Sequence, residues 1–305
     1  MSNPARNDSK LVLCLLLCVY EILSSSDSLK VHLKGASILI KLIGVREQSS
    51  RLTRFFHILD ISNAMICSSA PIWGDCSDLD LAGPSPWPVY DTEHVAITSF
   101  QKLMTIMAKM ACLSEASLSH QGESQSRDAH TLHADLLAWW QSCPPQIRSQ
   151  TNDWRDLSRR QPLGVDETLQ QELFTRIRAC RFGCELYLQH ILNPLCKEPW
   201  KGASAVEEIM KIVDATPPGH GLELGLDWSM FVAGLSISCD YETEGFIRKY
   251  FCQEGRQSPY PASPLTLLET LWEKQHRDGH KHDWRQVKAE ARINWWVLRL
   301  MARAC

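Results

Sequence analysis

The sequence predicts an all-α protein, folded as a single irregular multi-helix domain of about ten helices. Three observations support this fold class. Apolar residues recur at spacings of three and four over most of the chain, which is the period of one helical face. No segment shows sustained period-2 alternation with strand-like bounds. The 305 residues are 44% hydrophobic and 22% charged, a composition with enough apolar side chains for a sizeable core.

The net charge and the cysteines narrow the class of protein. The formal net charge is -3, so the chain as a whole is not an electrostatic match for DNA or for an anionic membrane, although a local basic patch stays open. The 12 cysteines are scattered, and several lie on apolar helical faces, among them Cys112, Cys180 and Cys184. We interpret them as buried free thiols in a reducing compartment, because a small secreted scaffold would be denser in cysteine.

The amino-terminal segment is predicted to be a tail over residues 1–10, followed by a buried helix. The run LVLCLLLCVYEIL over residues 11–23 is apolar on all sides, which favours a well-covered first helix. The run is too short to span a bilayer as a helix. A cleaved signal peptide is the alternative, but no clear small-x-small cleavage site follows the run. The predicted helical domain therefore covers residues 11–302.

Six further helices are predicted before the last quarter of the chain. They cover residues 29–43, 51–67, 93–113, 130–141, 166–193 and 203–215. The helix over 166–193 is the most regular of these, since Asp166 can cap its start and Pro194 ends it. Segments rich in Pro, Gly or polar residues predict mobile inserts near residues 68–92, 114–129 and 143–165.

The last quarter, residues 226–300, contains two or three amphipathic helices and a dense group of side chains that could bind metal: His276, Asp278, His280, His282 and Asp283. A zinc site needs about four converging ligands, and no second pair with matching spacing occurs elsewhere. We therefore predict a solvated connector without metal or cofactor, and keep a metal site as the alternative. Asp283 is placed to cap the last helix. The predicted buried face of that helix is Trp284, Val287, Ala291, Trp295 and Leu298.

No motif for catalysis is visible in the sequence. GxSxG is absent, and the segment PGHG at residues 218–221 does not give the full glycine pattern of a phosphate loop. No Ser-His-Asp or Cys-His arrangement can be defended by spacing, although a triad assembled in space stays open. We predict that the protein is not an enzyme and has no catalytic residues.

The tryptophans provide the predicted contact site. Paired tryptophans on helices favour core packing beside a partly exposed neighbour, and a partner or effector surface between helices is the alternative that would carry function. The candidate surface consists of Trp139, Trp140, Trp228, Trp272, Trp295 and Trp296.

Short stretches in four places resemble one known family. In LKVHLKGASILIKL (residues 29–42) Leu29 stands where the family typically has Trp, and the matching residues are His32, Leu33, Gly35 and Ala36. RFFHILDIS is similar to its Phe-rich helix, and LHADLLAWWQSCPP with ACRFGCELYLQHIL is similar to its central helices. In the last quarter the matching residues are Trp228, Phe231, Ala233, Gly234, Leu268, Glu269, Trp272, Asp283, Trp284 and Val287.

In their order, these stretches resemble the fungal-specific transcription factor domain, the regulatory domain of binuclear zinc-cluster transcription factors. The resemblance implies an all-helical regulatory domain of a transcription regulator in the nucleus, with the cytoplasm as the alternative location. A metabolic gene set is one candidate target. The implied partners are other transcription regulators or coactivators, and a small-molecule effector is a further candidate. A membrane partner is not expected.

The sequence departs from the family near its amino terminus. A binuclear zinc cluster needs six cysteines within roughly thirty residues, with CxxC pairs. Near the start only Cys14 and Cys18 are present, and no CxxC occurs in the sequence. We therefore expect DNA contact to be indirect, or to depend on an amino-terminal zinc cluster that this sequence lacks. The alternative function is a non-DNA-binding ligand-sensing or protein-interaction module.

Overall fold

The computed structural model describes residues 4–23, 28–43, 51–74, 92–119, 123–149, 165–192, 203–216, 223–252 and 264–291. Within those residues the chain forms twelve α-helices and no strand, which confirms the all-α prediction. The helices are α1 (Pro4–Leu23), α2 (Leu29–Ile43), α3 (Arg51–Cys67), α4 (Thr92–Ser119), α5 (Glu123–Ser142), α6 (Pro145–Arg148), α7 (Val165–Leu192), α8 (Ala203–Ala215), α9 (Glu223–Ser236), α10 (Tyr241–Cys252), α11 (Pro264–Asp278) and α12 (Trp284–Glu290).

Helix α7 lies at the centre of the fold. Helices α4, α5, α6, α8 and α9 all pack against it. Most of its apolar positions are buried, from Phe174 and Ile177 to Leu188, because several neighbouring helices pack on it rather than one. The region that these six helices share with α10, α11, α12 and one side of α3 is the main core.

Helix α3 separates the main core from a second, smaller one. Its residues Ile61 and Met65 face the main core, whereas Phe56 and Leu59 face α1 and α2. The smaller group, here called the amino-terminal core, consists of Leu11, Leu15, Cys18, Leu29, Leu33, Ala36, Ile40, Phe56 and Leu59. The paired helices α1 and α2 are therefore attached to the rest of the protein through one side of α3.

The structure corrects the prediction for the first helix in two ways. Helix α1 begins at Pro4, so most of the predicted tail over residues 1–10 is helical. The helix is also not covered on all sides: among the described helices α2 and α3 pack closely on it, and Leu13 and Leu16 remain more than half exposed. An apolar run in the sequence does not say how many neighbours will cover it. None of the described helices combines the length and the apolar character needed to cross a membrane.

The predicted insert near residues 114–129 is also corrected, because most of it is helical. Helix α4 continues to Ser119, and α5 begins at Glu123. Arg285, far away in the sequence, donates from Nη1 to Ser117 Oγ at 2.8 Å and to Ser114 O at 3.4 Å. These contacts hold a polar segment in place that local composition alone would leave mobile. Of the other two inserts, residues 75–91 and 150–164 lie outside the described residues.

The described start of the first insert is tied to α3 by Asp60. The buried carboxylate accepts the backbone N–H of Ile72 at 2.9 Å and that of Trp73 at 3.0 Å. The Trp73 ring packs edge-on against His57 at a centroid distance of 5.1 Å. Burial nevertheless raises the pKa of Asp60 from its ordinary value of 3.8 to about 6, because desolvation outweighs the two hydrogen bonds.

The buried carboxyl group of Asp60 should make the stability of the fold depend on pH. Its pKa is higher in the folded chain than in the unfolded chain, so the folded state holds the proton more tightly. The resulting stabilisation is complete below about pH 4 and is lost as the pH rises through 6. Relative to Asp60→Asn, which does not titrate, the wild-type free energy of unfolding should fall by on the order of 2–3 kcal/mol between pH 4 and pH 7. Urea denaturation of both proteins across this range tests it, and a pH-independent difference would contradict it.

Candidate functional site

Two of the six candidate tryptophans are anchors of the main core. Trp228 of α9 lies against Gly183 of α7, where an added Cβ would be only 2.5 Å from Trp228 Cζ3. Trp272 of α11 is 1% exposed, and its Nε1–H donates to the carbonyl of Gly234 in α9 at 2.9 Å. Leu268 of α11 also packs directly on Gly234. The two glycines therefore let α7, α9 and α11 approach one another closely.

The pair on α5 divides between core and surface. Trp139 is buried, and its Nε1–H donates to Ser99 O at 3.0 Å. Trp140 is only partly buried, and the guanidinium of Arg181 lies 5.4 Å from its ring centroid. The second predicted pair, at residues 295–296, lies outside the described residues. The role of the six tryptophans as a partner or effector surface stays a prediction, and among the four described only Trp140 is accessible.

A polar cluster between α10 and α11 was not predicted from the sequence. Glu244 is 1% exposed, and its Oε1 lies 2.7 Å from Nε2 of His276. Arg248 donates to the other Glu244 oxygen at 3.3 Å and stands over the Trp272 ring, 5.1 Å from the centroid. The Tyr241 ring stacks on His276 at 4.6 Å. The sequence gives only a weak indication of this cluster. Glu244 falls at a position of α10 where the apolar residues Ile247 and Phe251 predict another apolar side chain.

The histidine-rich segment after α11 forms a connector between two helices. Asp278 Oδ2 lies 2.9 Å from Nε2 of His282, and its backbone carbonyl lies 3.0 Å from Nδ1 of His280. The His276 side chain contacts the Glu244 carboxylate instead, so the candidate ligands of the alternative metal site do not converge. In the part of the chain that the structure describes, no three His, Cys, Asp or Glu side chains are grouped to hold a metal ion.

The predicted cap of the last helix is confirmed. Asp283 accepts the backbone N–H of Arg285 at 2.9 Å at the start of α12. Trp284 and Val287 are buried as predicted. Ala291 was expected on the same face but is exposed, because α12 ends at Glu290. The remaining predicted positions, 295 and 298, lie outside the described residues.

Helix α12 closes the main core by contacts to distant elements. The Trp284 ring meets the Phe231 ring edge-on at 5.8 Å. Lys288 Nζ donates to the carbonyl of Ile66 in α3 at 3.1 Å. Just before the helix, Lys281 Nζ donates to Ser236 O at 3.0 Å. Together with the Arg285 contacts to α4, these bonds tie α3, α4, α9 and α12 together.

The side chains of this region are poorly suited to nucleophilic catalysis. The described residues include one histidine beside a hydroxyl in this region, where His190 Nε2 lies 3.0 Å from Ser236 Oγ. Ser236 Oγ, however, donates its proton to Val232 O at 2.9 Å. Burial and the neighbouring Lys281 lower the pKa of His190 to about 3, which makes the imidazole a weak base. Burial also raises the pKa of the Cys180 thiol to about 11, so it is not the thiolate at neutral pH.

The comparison with known families decides the identity of this closed helical domain. A family model described as the fungal specific transcription factor domain matches residues 2–297. The chain belongs to the family of the fungal specific transcription factor domain. Neither the comparison with curated proteins nor that with solved structures gives a match. The resemblance stated from the sequence is confirmed.

The fungal specific transcription factor domain is a regulatory domain and not an enzyme family. This gives the chain a role related to transcription regulation. Several of the residues that carried the resemblance now have a structural reason. Trp228 and Gly234 of α9 lie in its close contacts with α7 and α11, respectively. Trp272 anchors α11 on α9, and Asp283 caps α12, the helix that closes the main core.

Proposed function

We propose that this fungal specific transcription factor domain regulates transcription in the nucleus by binding other transcription regulators or coactivators. The observation that carries the proposal is the family match over residues 2–297, nearly the whole sequence. DNA contact is then indirect, or depends on a zinc cluster outside these 305 residues. Burial leaves His190 a weak base and keeps Cys180 a thiol at neutral pH, so neither side chain supports a catalytic role. Binding of a small-molecule effector stays a prediction.

A reporter experiment tests the proposal. The full chain is fused to a foreign DNA-binding domain, with that DNA-binding domain alone as the reference. We expect the fusion to change reporter transcription severalfold, in either direction, because the domain brings a regulatory partner to the promoter. A second fusion carries Trp272→Ala, which disrupts the main core. It tests whether the effect depends on the folded domain, and its effect on reporter transcription should be lost.

An unchanged reporter counts against the proposal when the fusion protein is shown to be present in the nucleus. Immunoblotting and microscopy establish that the fusion is present in the nucleus at the level of the reference. If reporter output then equals that of the DNA-binding domain alone, and affinity purification from nuclear extract recovers no transcription regulator or coactivator, the proposal is wrong.

A further inference from the structure

Helices α1 and α2 expose an apolar surface on the side away from α3, here called the outer face. It consists of six side chains that are each between 58% and 67% exposed: Leu13, Leu16 and Tyr20 of α1, and Val31, Ile38 and Leu42 of α2. Single exposed apolar residues are normal on a protein surface, whereas a group of large ones on one face marks an interaction site.

The six side chains form one continuous surface because of how the two helices pair. Glu21 of α1 lies 3.3 Å from His32 of α2, and a Cβ on Gly35 would lie 3.9 Å from Cys14 Sγ. Contacts between 21 and 32 and between 14 and 35 require an antiparallel pair. The buried and exposed positions of each helix are about half a turn apart, so the outer stripes lie side by side, opposite the amino-terminal core.

The described charge beside the outer face has one sign. Lys30, Lys34 and Lys41 are exposed on α2, in a row next to its apolar stripe. Lys30 and Lys34 form the part of the row offered to a partner, because the Lys41 ammonium also lies 5.3 Å from the centroid of the Trp73 ring. Among the residues of α1 and α2 whose exposure the structure describes, the single carboxylate is Glu21, and it is paired with His32. A binding partner would therefore meet an apolar centre with a basic edge.

We propose that the outer face docks an amphipathic helix from a separate protein chain, with apolar residues on one side and acidic residues along its edge. The apolar side covers Leu16 and Ile38 and their neighbours, and the acidic edge pairs with the lysine row. Helices that bind helical surfaces place apolar anchors at spacings of three and four, and charge complementarity selects the partner and its orientation. This inference rests on the proposed function, for which it names the partner surface.

Two other occupants fit the outer face less well. A second copy that used the same face would bring another basic edge, and Glu21, the one carboxylate of α1 and α2 whose exposure the structure describes, is already paired with His32. A lipid surface is recognised by clusters of about four to eight Lys or Arg, and the row beside the outer face has three. Both occupants are outcomes of the experiment.

The experiment measures binding of the full chain to designed peptides by fluorescence anisotropy. The acidic probe is a fluorescein-labelled peptide of about 18 residues, roughly five turns of helix, with Leu at anchor spacing and Glu and Asp on the flanks. The basic probe has Lys in place of every Glu and Asp. We expect saturable binding of the acidic probe that weakens as NaCl is raised, and binding of the basic probe at least about tenfold weaker.

Surface variants locate the site. Ile38→Asp and Leu42→Asp should each weaken binding of the acidic probe by about tenfold or more, because they place a charge at the centre of the interface. The matched controls are Leu118→Asp on α4 and Lys249→Glu on α10, which change exposed residues elsewhere and should leave the affinity unchanged. Melting temperatures show that every variant is folded, and two independent apolar variants guard against a loss of fold in one.

A charge exchange gives the sharpest test. The double variant Lys30→Glu with Lys34→Glu should lose affinity for the acidic probe and gain affinity for the basic one. The new glutamates repel the acidic side chains of the first probe and attract the lysines of the second. Equal binding of both probes by the wild-type chain, or no effect of Ile38→Asp and Leu42→Asp, overturns the proposal. So does Ile38-dependent flotation with phosphatidylserine vesicles, or a dimer in light scattering that Ile38→Asp dissociates.

The reporter fusion separates failure of this inference from failure of the proposed function. If the wild-type fusion changes transcription and the Ile38→Asp fusion does so equally, the outer face is not the partner site and the regulatory function stands. If the wild-type fusion is inactive while the acidic probe binds with the expected dependence on Ile38 and the lysines, the docking site stands and the proposed function fails.

Discussion

Replacing Trp272 by alanine is expected to lower the free energy of unfolding by about 3–5 kcal/mol, which is the range for truncation of a buried tryptophan. Trp272 is 1% exposed and packs α11 on α9. The truncation removes the indole from the main core and leaves the Gly234 carbonyl without its donor. It also removes the ring below the Arg248 guanidinium. Urea denaturation followed by circular dichroism measures the change.

Two further variants separate the contributions at this position. Trp272→Phe keeps an aromatic ring but loses the hydrogen bond to Gly234, and should cost about 1–3 kcal/mol. Tyr241→Ala removes an aromatic ring that also stacks within this cluster but is 71% exposed, so its effect should stay within about 0.5 kcal/mol. A loss for Trp272→Ala no larger than that for Tyr241→Ala would show that Trp272 does not anchor the main core.

Replacing Gly183 by alanine is expected to destabilise the domain by about 1–3 kcal/mol, although alanine is normally the better helix former. The new methyl group would lie 2.5 Å from Trp228 Cζ3 and 3.1 Å from Cε3. Trp228 is buried between α7 and α9, so neither helix can move away without opening the main core. Thermal and urea unfolding should both show the loss.

Gly245 is the matched control for Gly183. It also lies inside a helix, α10, but nothing stands within 4 Å of the position that a Cβ would take. Gly245→Ala should therefore stabilise the protein by about 0.5–1 kcal/mol through helix propensity alone. If Gly183→Ala and Gly245→Ala had the same sign and size, the close approach of Trp228 would not determine the stability.

The arrangement of the cores allows folding and partner binding to be separated. Trp272 and Gly183 act in the main core, whereas the outer face lies beyond α3, on the far side of the amino-terminal core. Substitutions at exposed positions such as Ile38 should therefore change binding without changing the main core. The variants of the two regions serve as controls for one another.

Local patterns predicted the parts of the fold that depend on neighbouring residues. The helix expected over residues 166–193 is α7, Val165–Leu192, because a regular apolar period and a terminal proline act within a few turns. The cap at Asp283 was predictable for the same reason, since the side chain bonds a backbone N–H two residues away. The family resemblance rested on such local stretches and was confirmed.

Long-range contacts decided what the sequence pattern did not show. Ser117 is held in α4 by Arg285, 168 positions away, against the polar composition of its own segment. Glu244 stands at a buried position because His276, 32 residues later, meets it. The sequence of one helix is compatible with several different sets of neighbouring helices. The composition of that helix therefore does not show which distant residues its side chains will contact.

By itself the sequence determined the all-α class, most helix positions, the cap of α12 and the family, because each depends on residue spacing along one chain segment. Only the tertiary structure decided which apolar faces are covered. Trp228 became a core anchor because Gly183 on the facing helix leaves room for its ring. Trp272 became one through its burial between α9 and α11 and its hydrogen bond to the Gly234 carbonyl. The apolar run of α1 was left open on one side, since α2 and α3 pack on the other. Whether an apolar helix face is buried depends on the helices that pack on it, and the whole fold decides which helices those are.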